Sequence, residues 1–161
     1  MDLGATIALV ARITLAATFG LSAATKVAHR PGFAGALRDF GLPWSEALSW
    51  TLPLFEGGLG LALLVVQVAA WPAFLAIAVL ALFTGAVVAN LIGDRPAPCP
   101  CFGPPTTGAR PVSAATVARN GYLAALAVIG TGSTDGASVG AAIAVAAVTA
   151  PATLIALRRF G

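Results

Sequence analysis

Cys99 and Cys101 are the only side chains in this sequence with ready two-electron chemistry. They stand one residue apart in Asp94-Arg95-Pro96-Ala97-Pro98-Cys99-Pro100-Cys101-Phe102-Gly103. As thiolates such a pair can attack or leave a disulfide, with a potential set by how readily the loop closes. Pro100 fixes its own φ and pushes Cys99 toward extended backbone, while Pro98 constrains the approach. An extended Cys-x-Cys holds its Cα atoms near the upper end of the roughly 4.4–6.8 Å that a disulfide accepts. A Cys99–Cys101 bridge would then be strained, oxidising and labile, which suits exchange with a partner better than a structural staple. A quiet loop disulfide or two idle thiols is the alternative, because a lone Cys-x-Cys is a short signal. A closed zinc site wants four ligands, and the chain offers two cysteines and His29. No metal site is therefore expected, short of a dimer or a two-coordinate soft ion such as Cu(I).

The second set of chemically suggestive residues is charged and lies inside apolar runs: Arg12, Glu56 and Arg119. An ionised side chain there costs at least ~2.5 kcal/mol unless it is paired. At 1.5 Å per residue, Glu56 falls about 13 Å and Arg119 about 9 Å from the membrane face that carries the cysteines. Arg12 comes out near the midplane, within about 4 Å of Glu56 in depth. Lys26 closes the first apolar run on the cysteine side, so Lys26, Glu56 and Arg119 are expected to converge beneath the cysteine loop. Arg119 or Lys26 would lower a thiol pKa, Glu56 would handle protons or contact a quinone-like acceptor, and Asn120 would donate a hydrogen bond into the same cavity. The competing reading is an ion pair or polar clamp that only orients helices.

The elements that must position these residues are membrane spans. Of 161 residues 58% are hydrophobic and only 9% charged, against about 25% charged in a soluble domain. The fold expected is all-α, a single integral membrane bundle of about five transmembrane helices, a four-helix core plus one, in the cell membrane. The expected spans are 3–25, 47–70, 71–92, 113–131 and 136–157, each long enough for a bilayer core of about 30 Å. The first resembles a signal peptide but is too long and lacks a basic start, so it reads as a retained span. Residues 31–46 place Phe33, Leu37 and Phe40 at helical spacing opposite Arg38 and Asp39. That pattern predicts a short helix lying in the interface, with Trp44 at headgroup level and His29 a plain interfacial residue. Residues 93–112 form the cysteine loop, stiffened by Pro96, Pro98, Pro100, Pro104, Pro105 and Pro111. Gly57, Gly58, Gly60 and Gly85 are expected to let helices approach closely, and Ser113 to cap the fourth span. The net charge of +3 comes from a few scattered basic residues with no aromatic-interleaved patch, so no nucleic-acid partner is expected. No glycine-rich phosphate loop points to a nucleotide.

Lys26 in Ser-Ala-Ala-Thr-Lys, Glu56 in Leu-Phe-Glu-Gly-Gly-Leu-Gly-Leu, the Cys99-Pro-Cys101-Phe102-Gly103 loop and Arg119-Asn120 together carry a resemblance. Over roughly residues 5–130 the chain resembles the methylamine-utilisation MauE family and, more loosely, its DoxX-like relatives. That resemblance implies a redox-associated membrane protein supporting disulfide maturation, with thiol–disulfide traffic to an extracytoplasmic thioredoxin-like partner or a maturing protein. Cys99 and Cys101 would exchange, supported by Lys26, Glu56, Phe102, Arg119 and Asn120. Charge distribution pulls the other way. Lys26, Arg30, Arg38, Arg95 and Arg110 collect on the loop side, which the positive-inside rule places in the cytoplasm. Either the cysteines face the cytosol and relay reducing equivalents, or one span is misread. A non-enzymatic scaffold of a redox or respiratory complex, or a small transporter or metal carrier using Glu56 and Arg119, are the rival functions.

Overall fold

The computed structural model describes residues 2–39, 41–65, 70–92, 114–135, 137, 142–143 and 145–147. Helix α1 spans Leu3–Ala28, α2 Arg30–Asp39, α3 Ser45–Val65, α4 Trp71–Ile92 and α5 Ala114–Ile129. No strand occurs among the described residues. Cys99, Cys101, Phe102 and Ser113 lie outside them, as does most of the expected fifth span at 136–157.

Each helix begins and ends for a local reason. Asp2 caps α1 by accepting from the Gly4 and Ala5 amides at 2.9 and 3.4 Å, satisfying donors a first turn leaves open. Pro72 sits in the first turn of α4, where its missing N–H costs nothing. Pro53 is harder to place. It lies inside α3 and removes the donor that would bond the Ser49 carbonyl, yet the helix continues because Pro53 is packed in the bundle. Between α2 and α3 the chain turns through Gly41 at φ 72° and Trp44 at φ 56°. Trp44 holds this unfavourable left-handed backbone while its carbonyl accepts from the Leu48 amide at 2.9 Å, opening α3.

In the bundle, α1 packs on α3 and α5, and α4 packs on α5 and α3. Leu15, Phe19, Leu59, Leu63, Ala73, Ala76, Leu80, Leu123 and Ala127 fill the centre. Leu54, Leu61, Phe74, Leu82 and Val128 point outward, as a lipid-facing surface requires. Helices α1, α3 and α4 are long and apolar enough to cross a membrane, with a shorter apolar stretch at Thr116–Ile129. The protein is therefore an all-helical membrane bundle.

Two sequence expectations change at this level. Only one glycine of the four makes a close approach: a Cβ on Gly60 would meet the Ala16 carbonyl at 3.1 Å. Gly57 is in ordinary contact with Ala23, and Gly58 and Gly85 have no neighbour within 4 Å among the described residues. The apolar face of α2 is the second. Phe33, Ala34, Ala36 and Leu37 are buried in protein, with α2 laid against α3 and the end of α1. Periodicity specifies that α2 has an apolar face; packing decides that the face meets α3 rather than lipid.

Candidate functional site

Glu56 lies midway along α3 and is 1% exposed. Its Oε1 is ion-paired with Lys26 Nζ from α1, and its Oε2 accepts from Ser22 Oγ at 3.0 Å. Ser22 and Lys26 stand four residues apart and so share one face of α1, which is why one carboxylate can engage both. Lys26 is 4% exposed. Its ammonium lies 5.4 Å from the Phe33 ring of α2 and 5.4 Å from the Phe83 ring of α4. Two ring faces thus supply much of the negative surface that water would otherwise give it. Four helices meet at this ammonium, and the pairing removes the penalty of two isolated charges in an apolar bundle.

The polar assembly continues sideways. Thr84 follows Phe83 on α4, and its hydroxyl donates to the Leu80 carbonyl at 2.6 Å. Asn120 on α5 donates to Thr84 Oγ1 at 3.2 Å. Arg119 adjoins Asn120 and is also buried. Lys26 and Glu56 therefore come together as the sequence suggested. Asn120 bonds Thr84, the residue after the Phe83 that faces Lys26, and Arg119 precedes Asn120 in α5. Thr84 lies eight residues before the end of α4 and Asn120 six residues after the start of α5, the two helices joined in sequence by the connector that bears Cys99, Cys101 and Phe102.

The expected match in depth between Arg12 and Glu56 does not hold: Glu56 meets Ser22 and Lys26, which lie about 15 and 21 Å beyond Arg12 along α1. Arg12 Nε donates to the Gly130 carbonyl at 2.7 Å and its Nη2 to the Gly132 carbonyl at 3.4 Å. These carbonyls follow the last turn of α5, where acceptors lack helical donors, so a guanidinium caps them well. Counting rise from each span's end fails here because Glu56, eleven residues into α3, is level with the last turns of α1.

Outside the bundle, Glu46 at the start of α3 receives Arg30 at 2.8 Å and Arg38 at 3.3 Å, both from α2. Arg30 also donates to Ser49 Oγ at 3.2 Å and stacks 4.7 Å from the Trp50 ring. His29 Nδ1 sits 3.1 Å from the Thr25 carbonyl, within its own helix end. Ser22, Phe33, Phe83 and Thr84 are the site residues that sequence reasoning missed. A signal for Ser22 was present: Thr14, Thr18, Ser22 and Lys26 recur every four residues in an otherwise apolar span, and all four are buried.

The arrangement can hold a charge pair away from water and can tie α4 to α5. Among the described residues no group of three or more His, Cys, Asp or Glu side chains is placed to hold a metal ion. No curated protein and no solved structure matches the chain. A family model described as methylamine utilisation protein MauE matches residues 4–133. That match takes in Lys26, Glu56, both cysteines and Arg119-Asn120, and the chain belongs to the MauE family of methylamine utilisation proteins.

Proposed function

We propose that this chain is a multi-pass protein of the cell membrane that exchanges thiols and disulfides through Cys99 and Cys101. The supporting observation is a tie between the two helices that the connector joins. The Asn120–Thr84 hydrogen bond holds α4 to α5, and Phe83, next to Thr84 in sequence, faces Lys26 of the buried Lys26–Glu56 pair. With α4 and α5 held together, closing a Cys99–Cys101 bond depends on the connector's own geometry, which sets its redox potential. Family membership adds the context of methylamine utilisation.

The reaction is a pair of exchanges. One cysteine, as thiolate, attacks a disulfide sulfur of the partner, breaking that bond and forming a mixed disulfide. The second cysteine attacks the mixed disulfide, closes the Cys99–Cys101 bond and releases the partner as a dithiol. In the opposite direction an oxidised pair introduces a disulfide into a thioredoxin-like redox protein or into a maturing protein. Sustained oxidation then needs an acceptor of two electrons and two protons, and a lipid-soluble quinone is the class a bilayer offers. Lys26, Glu56 and Asn120 act in this scheme as positioning residues.

The test is trapping. With Cys99→Ser or Cys101→Ser, one variant accumulates a mixed disulfide that reductant dissolves, and the double variant accumulates none. No adduct from either single variant sinks the proposal. A second reading, a non-enzymatic scaffold, draws on the way the buried polar residues link helices: Arg12 to the end of α5, Lys26 and Ser22 to α3. It predicts that the double cysteine variant supports full assembly of its complex.

A further inference from the structure

Among the described helices, α2 is attached differently from the others. Its apolar side, Phe33 with Ala34, Ala36 and Leu37, lies over α3 and the end of α1, and the Phe33 ring faces the Lys26 ammonium. At its start, a single turn residue, His29, separates α2 from α1. At its end, Gly41 and Trp44 both carry positive φ, so the link to α3 bends sharply. Its ion pairs are external and converge on one carboxylate, beside one further hydrogen bond from Arg30 to Ser49. Arg30 and Arg38 both pair with Glu46, which is 65% exposed in its side chain. Inward, its Phe33 covers a pair that is 4% and 1% exposed.

We propose that α2 is a hinged lid over the Lys26–Glu56 pair, latched shut by Glu46. Closed, it keeps water from an ammonium whose hydrogen-bonded oxygen partner is Glu56 and whose other neighbours are two ring faces. Opened, it gives the loop side of the bundle aqueous access to both charges and to Ser22. The latch is exposed ion pairing, which is weak and screened by salt, so release needs no rupture of the core. Arg30 retains its stacking on Trp50 and its bond to Ser49 when Glu46 is lost, so the helix is loosened rather than detached. The lid is independent of the cysteine chemistry, and it is tested with both cysteines removed.

The full chain carrying Cys99→Ser and Cys101→Ser receives one reporter thiol, Ser22→Cys, beneath the lid. A second version carries Thr14→Cys, buried two turns away on α1. Labelling by a small neutral maleimide is timed in native membranes. Glu46→Gln is expected to speed labelling at position 22 about fivefold, the scale of lost exposed ion pairs, and to leave position 14 unchanged. Raising salt in the unlatched-competent parent should move position 22 the same way. Phe33→Ala, which removes the cover and leaves the latch, should also speed position 22 alone. Equal rates at position 22 with and without Glu46 overturn the lid. Equal acceleration at both positions overturns it too, because that is general loosening of the bundle.

Discussion

Removing one member of the Lys26–Glu56 pair should be worse than removing both. The pair is almost fully buried, so solvent does not screen it. In Lys26→Met the Glu56 carboxylate keeps Ser22 and loses its counter-charge; in Glu56→Met the ammonium keeps only the Phe33 and Phe83 faces. Breaking a buried pair from one side typically costs about 3–5 kcal/mol. Lys26→Met should sit near the lower figure, since the Ser22 bond remains, and Glu56→Met near the upper. The double variant Lys26→Met/Glu56→Met replaces both charges with flexible apolar side chains of similar reach. Such replacements are often neutral or stabilising. The assay is reversible unfolding of the purified chain in mixed micelles, read as a double-mutant cycle. A double variant more stable than either single supports a pair whose value lies in mutual neutralisation. A double variant whose loss equals the sum of the singles would refute it, showing each side chain acting alone.

Other consequences follow from single contacts. Arg12→Leu leaves the Gly130 and Gly132 carbonyls without their charged donor and should cost about 1.5–3 kcal/mol, measured in the same unfolding assay. Gly60→Ala forces a Cβ against the Ala16 carbonyl and should destabilise by about 1–3 kcal/mol, whereas Gly58→Ala, facing open space, should cost nothing measurable. Asn120→Leu breaks the tie to Thr84 and should lose about 1 kcal/mol of stability. On the exchange reading it should also slow mixed-disulfide formation; stability loss with an unchanged trapping rate would separate the tie from the thiols.

Composition and apolar run length were enough to read a helical membrane bundle, because crossing a bilayer imposes length and polarity together. Lys26 and Glu56 stood out for the same reason: charges in apolar spans are costly and need a partner. Arg12 shows where this reasoning stops. Counting from the span ends put it level with Glu56, but Glu56 sits beside the last turns of α1, about 15 Å further along that helix, and Arg12 reaches the end of α5 instead. Glycines behaved likewise: clustering around Gly57–Gly60 was visible, and only the helix face picks out Gly60 as the contact. For α2 the amphipathic pattern picked out Phe33 and Leu37, which are buried, while Phe40 lies outside the described residues; the pattern was silent about what hides them. Phe33 and Phe83 looked like ordinary apolar residues, since a ring's role beside an ammonium depends on which helices meet.

The account turns on whether Cys99 and Cys101 change oxidation state together. The most direct measurement is acid quenching of cells followed by alkylation with a mass-shifting maleimide, before and after reduction, on the wild type and each single serine variant. The account predicts a wild-type fraction with both thiols blocked until reduction, and free or intermolecularly bonded thiols in the single variants. Two thiols that are free in every sample, with no mixed disulfide in either variant, would contradict it.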